Sequence, residues 1–536
     1  MTAVQGQAAA LAHWLRGVLP PGAALVSDSR RVSRGDAFFA YPGERADGRR
    51  HVAQAIALGA AAVVAETGDA TGDVTGNVTG DERLLSGHGV PLRSVDGLKR
   101  LAGPIADAYH GEPTARMDVV AVTGTNGKTS CSQWIAQGLQ ASGRRAAVVG
   151  TIGAGVLGDD GATTLDDTGL TTPDALAMQA LFARFAQAGV DAVAIEASSI
   201  GLHQHRLAGT RIAVAVFTNL TRDHLDYHGS MQAYGEAKAA LFGWPGLRAA
   251  VVNLDDAAHA RMLADVAPGV QRVGYRIGAD AQAAAVDAGG SPACHLAPGE
   301  VDRVLVATEV APTAAGTRIV IDGDWGRATL ETPLLGRFNA ANLLAVAGAW
   351  LALGARFEDV TARLAALRPV PGRLQAVGAG DGVPLAVVDY AHTPDALDNA
   401  LAALRPVAAA RGGVLWCVFG AGGDRDPGKR PLMAAAAERG ADRVVLTSDN
   451  PRGESPEAIL DAVEAGLSAR CALRESDRAR AIAESLARAA PADVVLIAGK
   501  GHEPYQEIAG VRHPFLDAEH AARALERRMR TEAAGA

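Results

Sequence analysis

The chain has 536 residues, of which 48% are hydrophobic and 21% are charged, a balance that indicates a globular protein of several domains. Its net charge of −8 argues against a nucleic-acid or membrane-surface partner, since neither attracts an acidic protein. No apolar stretch reaches membrane-spanning length, and the four cysteines lack the spacing of a metal site. We therefore expect a soluble, cytoplasmic protein.

The first 115 residues carry a mixed pattern of short helices and strands. Residues 53–59 and 96–110 show helical periodicity, and the apolar run 61–65 is typical of a buried strand. Residues 67–82 repeat Thr-Gly-Asp or Thr-Gly-Asn four times. This composition buries too little apolar surface to offset the entropy lost on ordering, so the repeats predict a mobile surface loop.

The most informative stretch is residues 119–130, VVAVTGTNGKTS. An apolar strand leads into a glycine-containing turn, and Lys128 and Thr129 then open a helix. This arrangement predicts a phosphate-binding loop, because the loop N–H groups and the positive end of the helix attract an anion. Lys128 would reach the terminal phosphates, and the Thr129 hydroxyl would bind Mg²⁺. The general motif has a glycine where this chain has Val122, so the loop is a specific variant.

From residue 118 onward, apolar runs alternate with helical patterns, which predicts mostly parallel sheets covered by helices. The runs are 146–150, 191–196, 213–219 and 249–253, then 385–390, 414–420, 443–447 and 494–498. Residues 301–330 alternate as in antiparallel hairpins, and a long helix is expected over 336–353. The pattern predicts an α/β protein of three domains with boundaries near residues 115 and 335. Ligands of such sheets bind at the carboxyl ends of the strands.

Glu196 ends one of these apolar strands and is followed by a polar segment. A carboxylate that faces a phosphate-binding loop can hold a metal ion, directly or through water. A carboxylate is also common as a plain strand cap, so both interpretations stay open. Ser198, Gln204 and Arg206 follow, and they supply donors suited to a phosphate or a carboxylate.

A further polar cluster, residues 218–229, reads TNLTRDHLDYHG and follows the next strand. His224 in this cluster would bind a metal ion or a phosphate, although a lone histidine is more often structural. Lys238 lies on a predicted helix, residues 232–242. A lysine on a helix is usually a solvated surface charge.

In the last domain, Asp389 ends a strand and would accept hydrogen bonds from ribose hydroxyls, as acidic residues do in dinucleotide sites. Arg373 and Asn342 belong to the same polar set. Asp395, nearby, is interpreted as compensation for the dipole of a following helix.

Three more clusters, residues 422–430, 449–452 and 499–503, each follow a buried strand of the last domain. Clusters at the ends of neighbouring parallel strands are expected to converge on one cleft. Two arginines and Glu503 there would suit a zwitterion, because guanidinium groups pair with carboxylates and a glutamate pairs with an ammonium group. The segment DNPR would also fit a plain turn with a helix cap.

In this order, the motifs of the chain resemble those of the Mur ligases. The resemblance rests on TGTNGKT, EASS, FTNLTRDHLDYHG, YGEAK, the GR at 372–373, DYAHTPDAL, GGDRDPGKRP, DNPR and GKGHE, with DSRRVSRGDAFFA and ADGRR near the N-terminus. It covers nearly the full length. Within the family, the motifs are most similar to those of the members that add diaminopimelate.

The resemblance implies an N-terminal α/β UDP-sugar domain at 1–115, a central ATP-binding P-loop domain at 116–335 and a C-terminal Rossmann-like, amino-acid-binding domain at 336–536. It implies an ATP-dependent amide-bond-forming ligase that uses Mg²⁺. Its substrates would be UDP-N-acetylmuramoyl-L-alanyl-D-glutamate and meso-diaminopimelate, and we expect a monomer with no nucleic-acid or membrane partner.

The family's functional residues map onto this chain by motif. Contacts with the nucleotide sugar and its peptide are implied for Ser27, Ser29, Glu44, Arg45, Ala46, Thr171, Thr172, Ser198, Gln204 and Arg206. ATP contacts are implied for Gly124, Thr125, Asn126, Gly127, Lys128, Thr129, Ser130, Asn342, Arg373 and Asp389. Diaminopimelate contacts are implied for Arg425, Asp449, Asn450, Pro451, Arg452, Gly499 and Glu503.

The resemblance also assigns the catalytic centre. It implies catalytic roles for Lys128, Lys238, Glu196 and His224. The metal ligands would be Thr129, Glu196 and His224, together with Lys238, which matches the family's carbamylated lysine. Here the resemblance outweighs the interpretation of Lys238 as a surface charge.

The chain departs from the family pattern at three places, one of which is the unusual Thr-Gly-Asp insert at 67–82. Ile200 stands where close relatives often have histidine, and Ser130-Cys131 replaces a threonine pair. Two other kinds of protein are alternatives. Folylpolyglutamate synthase would be expected to have Lys-Gly-Ser after the loop, where this chain has Lys128-Thr129, and it gives no reason for DNPR. A P-loop switch or motor would need an acidic motif coupled to switch loops, and nothing in the sequence resembles one.

Overall fold

The structure is a computed structural model that describes residues 3–44, 46–68, 83–84, 89–158, 165–278, 300–313, 316–378 and 382–535. The chain divides into two compact units. The first comprises Met1–Gly274, Cys294–Asp302 and Gly348–Gly354, and the second comprises Tyr275–Ala293, Arg303–Ala347 and Ala355–Ala536. The predicted mobile loop at 67–82 lies outside the described residues from residue 69 onward.

The N-terminal part of the first unit is a five-stranded sheet. Its strands are β1 (Leu25–Val26), β2 (Ala37–Ala40), β3 (Ala62–Glu66), β4 (Arg83–Leu84) and β5 (Pro91–Val95). They lie in the order β1-β2-β3-β5-β4, and only β4 is antiparallel to its neighbour. Apolar side chains form a core on each face of this sheet.

The central part of the first unit is built on buried parallel strands. These are β6 (Asp118–Thr123), β7 (Ala146–Gly150), β8 (Gly153–Val156), β9 (Ala192–Glu196), β10 (Val214–Phe217) and β11 (Ala249–Asn253). Their order is β11-β10-β6-β9-β7-β8, and β8 alone is antiparallel within this set. Because β6 lies between β9 and β10, the segments that follow these three strands meet at one edge of the sheet.

Helices connect and cover the strands of the first unit. They are Ala3–Val18, Val52–Ala57, Leu98–Tyr109, Lys128–Ala141, Ala175–Gln187, Ser199–His203, Leu225–His228, Met231–Ala239 and His259–Ala264, with 3₁₀ turns at Ser29–Arg31, Gly48–His51 and Pro113–Arg116. Local chemistry sets where they begin. Asp174, for example, accepts hydrogen bonds from the N–H groups of Leu176 and Ala177 and so caps the helix that follows it.

The second unit combines antiparallel hairpins with a mostly parallel sheet. The hairpin strands are β13 (Arg303–Thr313), β14 (Gly316–Gly323) and β15 (Ala328–Thr332), preceded in the chain by β12 (Gln271–Ile277). The sheet consists of β16 (Gln375–Val377), β17 (Leu385–Asp389), β18 (Leu415–Phe419), β19 (Arg443–Leu446), β20 (Leu473–Arg474) and β21 (Val494–Ala498). Its order is β16-β17-β21-β18-β19-β20, with only β16 antiparallel. A short hairpin, β22 (Tyr505–Ile508) and β23 (Val511–Pro514), follows.

Helices pack on both faces of the six-stranded sheet, and each face carries its own apolar core. The helices in this part of the chain are Arg337–Ala352, Phe357–Ala365, Pro394–Arg411, Lys429–Gly440, Pro456–Glu464, Arg478–Arg488 and Asp517–Gly535. A sheet covered on both faces leaves the loops at its strand ends as the place for a ligand.

The predicted α/β organisation is confirmed, and most predicted strands match the observed ones to within two residues. The alternating stretch 301–330 forms the expected antiparallel hairpins. Sequence reasoning missed the first helix, Ala3–Val18. None of the helices in the described part of the chain combines the length and apolarity that a membrane crossing requires.

Candidate active site

The predicted phosphate-binding loop lies between β6 and helix Lys128–Ala141, as expected. Gly124 has a φ of 149°, and a Cβ atom there would lie 1.9 Å from Thr218 Oγ1. Glycine is therefore required at this position by both backbone conformation and space. Gly127, with a φ of 87°, precedes the first residue of the helix, and Ser130 lies buried in its first turn.

Polar groups that follow β10 hold this loop in shape. The Thr125 N–H donates to the Asn219 carbonyl over 2.8 Å, and the Asn126 N–H donates to Asn219 Oδ1 over 2.9 Å. Thr218 Oγ1 donates to the Asn126 carbonyl over 2.6 Å, and Thr125 Oγ1 lies 3.1 Å from Tyr234 Oη. Hydrogen bonds from several directions pre-organise the loop for an anion.

Two lysine side chains converge on one carbonyl of the loop. Lys128 Nζ and Lys238 Nζ donate to the Gly124 carbonyl over 2.8 and 2.9 Å. Lys238 is only 1% exposed, so it is not the solvated surface charge that a helical lysine usually is, an interpretation that the resemblance had already outweighed. Burial and the neighbouring Lys128 charge lower the pKa of Lys238 to about 6. Its amine is therefore neutral at neutral pH and able to act as a nucleophile.

The Glu196 carboxylate is buried at the end of β9 and is fully engaged. It accepts from Thr129 Oγ1 over 3.0 Å, from the Thr151 N–H over 2.8 Å and from Thr151 Oγ1 over 3.1 Å. A Cβ atom at Gly150 would lie 2.1 Å from Glu196 Oε1, so the absence of a side chain there makes room for the carboxylate. Thr151 was missed from the sequence. Its position directly after a buried strand was the available signal.

The four predicted metal ligands are brought together only in part. Thr129 and Glu196 share a hydrogen bond, and Lys238, from helix Met231–Ala239, contacts the same loop through its amine. His224 is 44% exposed at its side chain, with Nε2 3.5 Å from Asp223 Oδ2. Within the described ranges, no group of three His, Cys, Asp or Glu side chains is arranged to hold a metal ion.

The polar residues after β9 form a connected network. The Ser198 N–H donates to Thr172 Oγ1 over 3.1 Å, and the Thr172 hydroxyl donates to the Glu196 carbonyl over 2.7 Å. Gln204 Oε1 accepts from Arg206 Nε and Nη2 over 3.0 and 2.7 Å. Five residues predicted to contact the muramoyl peptide are thus close neighbours of the Glu196 site. They are Thr171, Thr172, Ser198, Gln204 and Arg206.

The residues predicted to contact the nucleotide sugar lie around the N-terminal sheet. Ser29 is buried, and its hydroxyl donates to Gln54 Oε1 over 2.9 Å. The Ser27 side chain is hydrogen-bonded to the Tyr41 hydroxyl. Glu44 and Ala46 lie in an exposed turn in front of the 3₁₀ turn Gly48–His51. Arg45 lies outside the described residues.

In the second unit, Arg373 and Asp389 lie side by side. Both carboxylate oxygens of Asp389 accept backbone hydrogen bonds, from Leu374 over 2.7 Å and from Ala391 over 2.9 Å. Burial raises the pKa of the Asp389 carboxyl. The Arg373 guanidinium lies 5.1 Å from the ring centroid of Tyr390. Asp389 therefore ties together two turns, in addition to any role toward a ribose.

Asn342 lies on helix Arg337–Ala352, where its side chain is buried. Its Nδ2 donates to Asn339 Oδ1 over 3.2 Å, and Asn339 Nδ2 donates to the Leu335 carbonyl over 2.8 Å. The two amides thus form a small polar pair along one side of the helix.

The three predicted strand-end clusters of the last sheet converge. Asn450 Nδ2 donates to Glu503 Oε2 over 2.8 Å, and Lys500 Nζ donates to Asn450 Oδ1 over 3.0 Å and lies 3.2 Å from Glu503 Oε2. Burial raises the pKa of the neighbouring Asp449, whose Oδ2 would be 2.5 Å from a Cβ atom at Gly499. Sequence reasoning did not single out Lys500. Its ammonium group forms an ion pair with the Oε2 atom of Glu503.

Arg452 follows the buried Pro451 with a φ of 50°, in the left-handed region that a non-glycine residue rarely adopts. Its Nη1 donates to the Gly423 carbonyl over 2.8 Å, so the DNPR segment contacts the glycine-rich loop after β18. A Cβ atom at Gly422 would lie 2.9 Å from Arg452 Nη1 and 3.7 Å from Arg425 Cγ. Both predicted arginines therefore border one loop.

A buried ion pair, Arg478–Asp517, supports these loops from beneath. Both side chains are fully buried, and Arg478 Nε and Nη2 each donate to Asp517 over 2.7 Å. Arg478 also donates to the carbonyls of Ser448 and Ala498 over 3.1 and 3.0 Å. These carbonyls precede the DNPR and GKGHE segments, so one guanidinium fixes both strand ends. Sequence reasoning missed this pair.

Replacing Arg478 with alanine is expected to lower the free energy of unfolding by about 3–5 kcal/mol, because it leaves the Asp517 charge buried and unpaired. Urea denaturation measures the loss. The double variant Arg478→Met, Asp517→Leu should recover a large part of it, since no charge remains buried. Arg474→Ala is the matched control, because Arg474 is partly exposed among three acidic residues. Equal losses for Arg474 and Arg478 would contradict the interpretation.

Comparison with known proteins decides the family. Three family models match in sequence order, namely "Mur ligase family, catalytic domain" at 24–110, "Mur ligase middle domain" at 122–350 and "Mur ligase, glutamate ligase domain" at 372–501. A Ralstonia nicotianae protein named UDP-N-acetylmuramoyl-L-alanyl-D-glutamate–2,6-diaminopimelate ligase is 49% identical over 98% of this chain and 97% of its own length. The chain belongs to the Mur ligase family.

Two further similarities agree. A Pseudomonas aeruginosa protein of the same name is 48% identical over 94% of both chains. A solved structure of a ligase with that name is 35% identical to this chain, with a TM-score of 0.66. The match covers 94% of this chain and 95% of the solved one. The predicted family, the three-domain α/β fold class and the ligase class are confirmed. Assignment to the Mur ligases is therefore favoured over the folylpolyglutamate synthase and P-loop switch alternatives. The domain boundaries near residues 115 and 335 stay predictions.

Proposed function

We propose that this Mur ligase joins meso-diaminopimelate to the D-glutamyl γ-carboxylate of UDP-N-acetylmuramoyl-L-alanyl-D-glutamate, converting ATP to ADP and phosphate, in peptidoglycan precursor synthesis. The observation that carries the proposal is the convergence of Lys128 and the buried Lys238 on the Gly124 carbonyl, beside the Thr129–Glu196 pair. The relatives at 48–49% identity bear the name of this ligase.

The chemistry explains why such a site is needed. A carboxylate is a poor electrophile, so transfer of the γ-phosphoryl group of ATP to it first forms an acyl phosphate. The amine of diaminopimelate then attacks the acyl carbon, and phosphate leaves as the amide forms. Because two anions must approach in the first step, Lys128 and the loop N–H groups offset the charge that develops on the phosphoryl oxygens.

The residues at the loop fit Mg²⁺, since the Thr129 hydroxyl and the Glu196 carboxylate are hard oxygen donors 3.0 Å apart. Thr129 and Glu196 would hold the ion, and the resemblance adds His224, which is exposed beside Asp223. When bound, Mg²⁺ would neutralise phosphate charge. A carbamate on Lys238 would supply one more carboxylate in place of a neutral amine.

The buried position of Lys238 supports carbamylation. A neutral amine adds CO₂ and releases one proton to solvent to give a carbamate anion, and the pKa of about 6 makes Lys238 neutral at neutral pH. The carbamate nitrogen retains one hydrogen, so it can still donate to the Gly124 carbonyl, as Lys238 Nζ does here. An unmodified neutral amine in this position would contribute no charge and no oxygen atom, which is the ligand that Mg²⁺ prefers.

The convergent loops of the last sheet support an amino-acid site. Asp449 and the Oε1 atom of Glu503 provide acceptors for ammonium groups, while Arg425 and Arg452 provide donors for carboxylates. Asn450 holds Glu503 in place, because its Nδ2 donates to Glu503 Oε2 while its Oδ1 already accepts from Lys500. Diaminopimelate carries two of each group and differs from lysine by its distal carboxylate. We assign that carboxylate to Arg452, whose guanidinium uses only Nη1 within the described protein.

An ATPase screen tests the function. We expect release of ADP and phosphate only when UDP-N-acetylmuramoyl-L-alanyl-D-glutamate and diaminopimelate are both present, with a product whose mass equals the sum of the two minus water. Lysine and ornithine serve as competing amino acids, and reactions that omit each component serve as controls. Phosphate release without the nucleotide substrate, or preference for lysine, would refute the proposal.

A further inference from the structure

The phenol of Tyr227 lies at the centre of a hydrogen-bond network in the first unit. The residue belongs to the short helix Leu225–His228. Its Oη lies 3.1 Å from Gln204 Nε2, 2.9 Å from His203 Nδ1 and 3.3 Å from Glu44 Oε1. These three partners come from two separate parts of the chain, the helix after β9 and the turn after β2.

The directions of these hydrogen bonds follow from the chemistry of the partners. The Gln204 amide nitrogen can only donate, and the Glu44 carboxylate can only accept. Tyr227 therefore accepts from Gln204 and donates its one hydrogen to Glu44, and His203 must donate from Nδ1. Burial raises the pKa of the Tyr227 phenol, which keeps that hydrogen in place at neutral pH.

Through Gln204 the network reaches the residues predicted to grip the muramoyl peptide. With Nε2 turned to Tyr227, Gln204 presents Oε1 to Arg206, which donates to it twice, over 3.0 and 2.7 Å. Arg206 Nη1 also donates to the Thr172 carbonyl over 2.8 Å. The hydroxyl of Tyr227 thus selects the amide orientation in which Gln204 can hold the guanidinium.

At its other end the network reaches Glu44, in the turn predicted to contact the nucleotide sugar. Lys99 Nζ lies 3.4 Å from the same carboxylate oxygen that accepts from Tyr227. Tyr227 is consequently a shared partner of two segments that would bind opposite ends of one long substrate. The His203 ring packs edge-on against the phenol, with centroids 5.5 Å apart, and limits its rotation.

We propose that Tyr227 is a positioning residue for UDP-N-acetylmuramoyl-L-alanyl-D-glutamate, which it serves by orienting Gln204 and Arg206 and by linking them to the Glu44 turn. This inference rests on the proposed function, because it takes that nucleotide as substrate. Tyr227 itself does no chemistry on the reacting groups. Its role is to hold the peptide-binding side chains in one arrangement before the substrate arrives, which reduces the cost of ordering them on binding.

The test is the variant Tyr227→Phe, which keeps the ring and removes only the hydroxyl. The half-buried Gln204 and the exposed His203 and Glu44 then lose a partner, and we expect the KM for the nucleotide substrate to rise about 10-fold. We expect kcat and the KM values for ATP and diaminopimelate to change by less than about two-fold, because the interaction concerns substrate binding alone. Steady-state kinetics with each substrate varied in turn provides all four values.

Tyr109→Phe is the matched control, since Tyr109 Oη donates to the Ala23 carbonyl over 3.3 Å, outside this network. It should leave all kinetic constants unchanged. Combining Tyr227→Phe with Gln204→Ala should raise the KM for the nucleotide substrate by less than the product of the two single effects, because both changes break the same link.

The outcomes separate the two claims. If the wild type turns over and Tyr227→Phe has an unchanged KM for the nucleotide substrate, the role of Tyr227 is overturned and the proposed function stays intact. Equal rises in the KM values of all three substrates, or fully multiplicative effects with Gln204→Ala, also overturn it, since they indicate a general structural role. Absence of any turnover by the wild type with the nucleotide and diaminopimelate overturns the proposed function, and the inference with it.

Discussion

Replacing Lys238 with alanine is expected to lower kcat by about 10²–10³-fold, the typical cost of removing one preorganised electrostatic group from an active site. The variant loses both the hydrogen bond to Gly124 and the carboxylate that a carbamate would add. Because the alanine leaves a buried space beside Lys128, small carboxylic acids such as acetate should restore part of the activity. Steady-state ADP release with and without added acetate measures both effects.

Lys238→Met is the matched control for this rescue. Methionine fills the same space as the unmodified side chain, so we expect equal loss of activity and no response to acetate. The pH dependence gives a second test. The pKa of Lys238 is lowered to about 6, so the amine becomes protonated and unable to hold CO₂ as the pH falls through that value, and wild-type activity should fall with it. Wild-type turnover in Lys238→Ala would disprove the carbamate role.

Replacing Arg452 with alanine is expected to reduce kcat/KM for diaminopimelate by roughly 10- to 150-fold, the value of one charge-assisted hydrogen bond of about 1.5–3 kcal/mol. The low activity with lysine should stay the same, because lysine lacks the distal carboxylate. The informative quantity is therefore the ratio of kcat/KM for diaminopimelate to that for lysine. Both values come from the ADP-release assay.

Two variants bracket this prediction. Arg480→Ala removes an exposed arginine of the same unit that pairs with Glu475 over 3.1 Å, and it should leave the ratio unchanged. Arg452→Lys keeps the charge but loses the paired donors of a guanidinium, so we expect an intermediate ratio. If Arg452→Ala retains wild-type kinetics with diaminopimelate, the distal carboxylate is bound elsewhere.

The sequence alone predicted the fold class well because its strands are short, apolar and bounded by glycine or polar residues. Strands Ala146–Gly150, Ala249–Asn253 and Val494–Ala498 match their predictions residue for residue. Strands that are buried on both faces of a parallel sheet are almost continuously apolar. They can therefore be recognised from the local sequence, without knowing which strands lie beside them. The polar residues at the strand ends were recognised because each cluster directly follows such an apolar run.

Partners across the chain were harder to predict. Lys238 looks like an ordinary helical lysine in the sequence, yet it is buried against Gly124, 114 residues away. Thr151 and Lys500 stand at the ends of buried strands, but no local pattern shows which group either one contacts, and the Arg478–Asp517 pair carries no local signal. Each was missed because its role depends on a contact that only the folded chain creates.

By itself, the sequence determined which segments are strands, where the phosphate-binding loop lies and which polar residues stand at strand ends, since these depend on local periodicity and on turn chemistry. The tertiary structure alone decided that Lys238 is buried and that Glu196 is shared between Thr129 and Thr151. It also decided that Tyr227 joins two segments that are predicted to bind the nucleotide substrate. The physical reason is that burial, pKa and hydrogen-bond partners are set by the order in which strands pack side by side, and local patterns do not encode that order.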